Sequence, residues 1–304
     1  MIPLTLITGF LGAGKTTVLN RMLRQRLDAG EPLERLAVVV NEFAELGLDG
    51  VQLPAGPYRK WELNRGSIFC VCLRTDFIAL LEEIVRDVNP DEIWVEATGI
   101  ADVGEVFKMI SVPTLRNTLF LRTNICLVDP TTILKILPTL RAARQQVVRA
   151  DALVVNKVDL VDEVDLVDVE HRVRELNGTA PLFRCTHGQV DFTGIPSFTV
   201  PRLDTRAFGG HPPQPIASVS ITEEWCVPYE AFERWWRARR ELIWRIKGRL
   251  ATPDGPVWVE GTLDGLQALP CPSERELAAP TAIALIGPGL KQEVVRAELR
   301  ALSL

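Results

Sequence analysis

The chain is predicted to be an α/β protein with a mostly parallel sheet covered on both faces, followed by a small α+β domain. Three observations predict this. Near-continuous apolar runs alternate with amphipathic stretches over the first two thirds. A glycine-rich run, Gly9 to Thr16, stands between the first apolar run and the first amphipathic one. A proline- and glycine-rich stretch around residue 200 then separates a shorter region with a different order of elements.

Taken in order, the strand candidates are Leu4–Thr8, Leu36–Asn41, Glu92–Ala97, Ile125–Asp129, Ala152–Asn156 and Pro181–Cys185. Helical spacing marks Lys15–Asp28, Asp76–Val88, Thr131–Arg149 and Asp162–Asn177 between them. These elements define a domain over residues 1–195. Residues 196–215, which include Phe208-Gly-Gly-His-Pro-Pro-Gln-Pro215, read as a linker. Residues 216–304 predict a strand (Ala217–Thr222), a long helix (Pro228–Lys247) and a strand pair around Val257–Leu269. A further strand (Ala282–Ile286) and a final helix (Leu290–Leu302) follow. Phe232, Trp235, Trp236, Leu242, Ile243 and Ile246 fall at helical spacing, so the basic run Arg234–Arg240 is read as the solvent face over a core stripe.

Composition excludes several classes. A net charge of −5, from 34 basic and 39 acidic residues, provides no footprint for nucleic acid. The longest apolar runs are strand-sized, so no membrane span is expected. The apolar start lacks a basic leader and runs straight into the glycine loop, which predicts a cytoplasmic protein. Its six cysteines are then expected to be thiols, and only Cys70 and Cys72 stand close together. With three histidines and no His-rich tract, metal storage is not expected.

Gly9-Phe-Leu-Gly12-Ala13-Gly14-Lys15-Thr16 fits GxxxxGK[ST], the P-loop of nucleoside triphosphatases. Gly9, Gly12, Ala13 and Gly14 would let backbone N–H groups face phosphate oxygens at a helix N-terminus, with Thr17 in the first helical turn. Lys15 would reach the β- and γ-phosphates, and the Thr16 hydroxyl would ligate Mg2+. Asn156-Lys157-Val158-Asp159 follows a later strand. The Asp159 carboxylate can accept from guanine N1–H and the exocyclic amine, a donor pair adenine lacks. Asn156 would bond the base edge and support the loop, with the Lys157 stem along the ring. Glu96-Ala97-Thr98-Gly99 ends another strand; Glu96 suits a magnesium-linked role in catalysis beside Lys15 and Thr16, and Gly99 lets a backbone N–H approach the γ-phosphate. No residue stands out as the catalytic base.

These motifs resemble the CobW family within the CobW/HypB/UreG group of P-loop GTPases. The resemblance also covers Asn41-Glu-Phe-Ala-Glu-Leu-Gly-Leu-Asp49, the loop Thr186-His187-Gly188 and Arg245-Ile-Lys-Gly248. It implies a nucleotide domain with a CobW-type C-terminal domain, GTP hydrolysis with Mg2+, and work as a metallochaperone or metalloenzyme-maturation factor.

One segment departs from the pattern. Family members carry GCxCC where this chain has Gly66-Ser-Ile-Phe-Cys70-Val-Cys72, a form similar to that of a subgroup near corrinoid and methyl-transfer systems. Cys70 and Cys72 could supply two thiolates to Zn2+ or Co2+, with Glu42 and Glu45 as oxygen donors. Alternatively the two cysteines pack as small apolar residues on one face of a short strand. The leading expectation is a GTPase, slow without a partner, that couples hydrolysis to delivery of zinc or cobalt to a client protein. The alternative is a GTP-switched protein chaperone that gates cofactor loading, of a corrinoid for example, without carrying metal. A homodimer is compatible with either. A P-loop kinase is disfavoured by the NKxD run.

Overall fold

The computed structural model describes residues 1–41, 53–63, 71–195, 216–262, 265–271 and 280–303. They divide into two units, one on each side of residues 196–215. The expected linker itself lies outside the described residues.

The first unit is built on strands β1 (Ile2–Gly9), β2 (Leu36–Asn41), β3 (Arg59–Leu63), β4 (Glu92–Glu96), β5 (Leu119–Val128), β6 (Ala152–Val155) and β7 (Leu182–Arg184). Their order is β3-β2-β4-β1-β5-β6-β7, and every pairing is parallel. Helices α1 (Lys15–Asp28), α2 (Val71–Glu83), α3 (Val103–Ile110), α4 (Ile133–Ile136), α5 (Arg141–Val148) and α6 (Glu163–Leu176) connect them. A sheet buried on both faces explains why its strands read as unbroken apolar runs. On one face Ile7, Val38, Trp94 and Ile125 pack with Val18, Leu19 and Leu23 of α1. On the other, Leu4, Leu6, Val39 and Val95 pack with Phe77 and Leu81 of α2 and Val106 of α3. β1 lies between β4 and β5, so the loops leaving the carboxyl ends of these three strands converge. That is where open parallel sheets bind ligands.

The second unit comprises β8 (Ile216–Glu223), α7 (Tyr229–Arg237), β9 (Arg245–Leu250), β10 (Val257–Thr262), β11 (Leu266–Pro270), β12 (Thr281–Pro288) and α8 (Gln292–Arg300). Its antiparallel order is β11-β10-β9-β12-β8. Phe232, Trp235 and Trp236 of α7 bury against Ile221, Ile246, Val259 and Leu285 of the sheet.

Three expected elements are corrected. The helix expected over Thr131–Arg149 is two helices, α4 and α5, separated at Pro138, whose ring removes a donor and clashes with the preceding turn. The helix expected over Pro228–Lys247 ends at Arg237, and Arg245–Leu250 is instead the central strand β9. Ile246 and Leu250 are buried at strand spacing there, and Leu242, expected in the core stripe, is 52% exposed. The helix expected to begin at Asp76 starts at Val71, and Ile84–Val88 widens into a π-helical turn. Strand β3 and helix α3 had no counterpart in the sequence reading. Among the described residues, no helix is long and apolar enough to cross a membrane.

Candidate nucleotide site

The glycine run leaves β1 and curls into α1 through residues with left-handed backbone. Gly14, at φ +95°, occupies the N-cap, and a Cβ there would come within 2.3 Å of Asn156 Nδ2. Only glycine satisfies both the dihedral angle and the contact. Lys15 is 7% exposed, and its ammonium donates to the carbonyls of Gly9 (3.1 Å) and Phe10 (3.2 Å). The cation thus lies across the mouth of its own loop, where phosphate charge is expected. Thr16 and Thr17 stand half-buried in the first turn of α1.

The Thr16 hydroxyl donates to Glu96 Oε1 at 2.7 Å. Glu96 closes β4 and is 5% exposed, so a half-buried hydroxyl and a buried carboxylate form one oxygen pair beside the P-loop. Two residues on, the Thr98 hydroxyl is 3% exposed and finds no hydrogen-bond partner among the described residues. Hard oxygen donors and an orphaned hydroxyl in this position suit Mg2+ with its retained waters, so the residues fit that ion. Gly99 abuts the P-loop directly: a Cβ on it would stand 2.5 Å from Leu11 N. The loop is held from the other side by Gln146 of α5, 1% exposed, whose amide donates to the carbonyls of Ala101 (2.9 Å) and Gly99 (3.3 Å).

Asn156, just past β6, connects three loops. Its Nδ2 donates to Ala13 O in the P-loop at 3.0 Å, and its Oδ1 accepts from Gly188 N at 3.0 Å. The Cys185 thiol donates to the same Oδ1 at 3.3 Å. Asn156 is 2% exposed, so of its two expected roles this geometry displays the bracing one. Lys157 has a left-handed backbone at φ +59° and pairs with Asp129 at 2.6 Å. Asp159, on the short 3-10 turn Val158–Leu160, is exposed, as a base-reading side chain would need to be. Thr186-His187-Gly188 completes the wall, with His187 at φ +52°. The P-loop, the Glu96–Gly99 loop and the Asn156–Asp159 loop are therefore brought together at the carboxyl edge of the sheet.

The proposed metal residues are less accessible. Glu42, Glu45 and Cys70 lie outside the described residues. Cys72 falls in the first turn of α2, so its backbone is helical and not the short strand considered from sequence. Among the described residues no group of three or more His, Cys, Asp or Glu side chains could hold a metal ion. Cys126 (1% exposed) and Cys185 (5%) are buried free thiols. Burial pushes Cys126 up to about 12 and Cys185 up to about 11, which keeps both protonated at neutral pH.

Sequence reasoning missed three residues here. Asp129 follows an apolar strand just as Glu96 does, and that signal was available. Gln146 and Cys185 carried none, since a lone Gln on a helix or Cys after a strand has no local pattern.

A separate cleft lies toward the amino ends of β4 and β5. There Glu92 pairs with Arg26 and, at 3.0 Å, with Arg122. It opens at the opposite edge of the sheet from the converging loops.

Comparison with known proteins agrees with this layout. Residues 3–184 match the family described as CobW/HypB/UreG, nucleotide-binding domain. Residues 216–303 match the cobalamin synthesis protein CobW C-terminal domain. The zinc chaperone YeiR of Escherichia coli is 30% identical over 192 residues, 63% of this chain and 57% of that protein. The zinc chaperone CobW of Pseudomonas aeruginosa is 36% identical over 137 residues, 42% of this chain and 35% of that protein. The matched stretch thus spans less than two thirds of these relatives. Among solved structures, the Zn(II)-bound YjiA GTPase from E. coli aligns over 99% of this chain and 98% of its own, at 24% identity and a TM-score of 0.47.

Proposed function

The chain belongs to the CobW/HypB/UreG family, and from that premise we propose that it is a GTP-hydrolysing zinc metallochaperone acting in the cytoplasm. The observation that carries the nucleotide half is the convergence of Lys15, the Thr16–Glu96 pair and the Asn156–Asp159 loop at one sheet edge. Support for the cargo comes from relatives named as zinc chaperones.

In this reading Lys15 leaves the carbonyls of Gly9 and Phe10 and turns to the β- and γ-phosphates. Backbone N–H groups from Gly12 to Thr17 cradle the phosphate chain. Thr16 and Glu96 hold Mg2+, directly or through its waters; when bound, the ion neutralises charge that develops on the phosphates. Gly99 presents its N–H to the γ-phosphate. Asp159 accepts from the guanine edge, and adenine would leave that carboxylate unpaired. Lys157 lies along the base and Asn156 holds the three loops in register.

Zinc is cargo, with Cys70, Cys72, Glu42 and Glu45 as its proposed donors, and cobalt is the other ion thiolates of this kind would accept. The client is a metalloprotein or cofactor-dependent protein, and a homodimer is the oligomer we would test first.

Calorimetry with GTP and ATP tests the nucleotide reading: GTP should bind at least ~100-fold tighter, and equal affinities would remove it. Zinc titration with and without GTP, repeated on Cys70→Ser, tests the cargo. Binding that ignores both GTP and Cys70 would leave the chain a GTPase without a cargo site at these residues.

A further inference from the structure

We infer that Asp129 is a positioning residue for guanine selectivity, acting on Asp159 through Lys157. The inference rests on the guanine reading of the Asn156–Asp159 loop and extends it to a residue outside that motif.

Lys157 is one of only three non-glycine residues with positive φ among those described, the others being Asn89 and His187. A side chain disfavours that region, so the conformation persists only where neighbours over-determine it. Two contacts do so here. Val158 N donates to Cys185 O at 3.3 Å, and the Lys157 ammonium donates to Asp129 Oδ2 at 2.6 Å. Of the pair, Asp129 is the fixed end. It is 4% exposed, and its other carboxylate oxygen accepts from Thr131 N (3.0 Å) and Thr131 Oγ1 (2.6 Å). Its carbonyl accepts from Ile133 N at 3.0 Å, which anchors the backbone as well. An ion pair to a buried, doubly held carboxylate restricts where the part-buried Lys157 side chain can lie.

The consequence reaches Asp159 through the chain. Lys157 caps the 3-10 turn Val158–Leu160, and Leu160 N closes that turn on Lys157 O at 3.0 Å. Asp159 is the middle residue of the turn, and its side chain is exposed. Its carboxylate is therefore aimed by the backbone of Lys157, and that backbone is held through Asp129. The residue that follows β5 thus contributes to base selection although it lies outside the base-reading motif.

The competing role for Asp129 is only to close the turn that follows it, through its contacts with Thr131. Asparagine separates the two roles. It retains an acceptor for Thr131 but loses the charge that holds Lys157.

The experiment measures the ratio of GTP to ITP affinity in the full chain, by calorimetry with Mg2+. ITP keeps N1–H but lacks the exocyclic amine, so the ratio reads the alignment of the Asp159 carboxylate. Wild type should prefer GTP by ~10-fold or more, and Asp129→Asn should bring the ratio to within ~3-fold with an unchanged melting temperature. Lys157→Met should do the same, and the double variant should be no worse than Lys157→Met alone, since both changes break one link. A wild-type ratio in Asp129→Asn, or additive losses in the double variant, would overturn the inference while leaving GTP recognition intact. If wild type itself bound the two nucleotides equally, the guanine reading would fail and this inference with it.

Discussion

The hydroxyl of Thr16, in the first turn of α1, donates to Glu96 at the end of β4 across 2.7 Å. Residues 80 positions apart thereby form one oxygen pair at the edge where the P-loop opens. Removing either should uncouple binding from hydrolysis. Thr16→Ala and Glu96→Gln should each lower magnesium-dependent turnover ~100-fold or more, since a lost magnesium contact removes several kcal/mol of transition-state stabilisation. Nucleotide binding without Mg2+ should change little. Single-turnover hydrolysis and a magnesium titration check this, and full activity in Glu96→Gln would remove Glu96 from the mechanism.

Asn156 should matter for stability as much as for binding. Asn156→Ala leaves Gly188 N and Ala13 O without their partner in a buried setting, at a cost of about 2–4 kcal/mol. Asn156→Asp keeps an acceptor for Gly188 but sets a carboxylate against the Ala13 carbonyl, so it should recover little of the loss. Urea unfolding followed by tryptophan fluorescence gives the comparison. If both variants unfold like wild type, the bridge is not a structural element.

Gly99→Ala should abolish GTP binding with the fold retained, because its Cβ would sit 2.5 Å from Leu11 N and displace the P-loop backbone. Gly265→Ala is the control: no atom of the described residues lies within 4 Å of the added carbon. Circular dichroism should report both as folded, and a Gly99→Ala protein with wild-type affinity would refute the close approach.

The buried thiols predict an alkaline limit to stability. An ordinary thiol here titrates near 9.0, whereas burial holds Cys126 near 12 in the folded chain. Above pH 9 the unfolded chain releases this proton first, so stability is fully present below that pH and falls as pH climbs toward 12. Cys126→Ala should lessen the fall between pH 8.5 and 10.5, read as the shift in urea midpoint at roughly those two values. At pH ~8, maleimide labelling with peptide mapping should find Cys226 and Cys271, both part-exposed, and spare Cys126 and Cys185 until the chain unfolds. Rapid labelling of Cys185 in the native protein would contradict its place under the Asn156 loop.

Much of the nucleotide site is local in character, and local patterns are visible in a sequence. The run from Gly9 to Thr16 specifies a strand, a left-handed turn and a helix start within eight residues, and α1 spans Lys15–Asp28 as its apolar spacing predicts. The apolar strands and the change of element order beyond residue 216 were legible for the same reason: burial on two faces leaves an unbroken apolar run. Where two local signals competed, the reading failed. Arg234 to Lys247 carries both helical and alternate spacing, and the pairing of β9 with β10 and β12 resolves it as helix, turn and strand.

What the sequence by itself determined is therefore the set of motifs on offer: a GxxxxGK[ST] run from Gly9 to Thr16, an acid at Glu96 after an apolar run, and the NKxD run Asn156–Asp159. Only the tertiary structure decided which side chains hold these in place. Asn156 reaching Ala13, Gln146 holding the loop at Gly99, and Asp129 securing Lys157 each join residues 28 or more positions apart. Such partners have no spacing rule. Parallel strand order brings their carboxyl ends together, and the cost of leaving a buried polar group unpaired selects which of them meet.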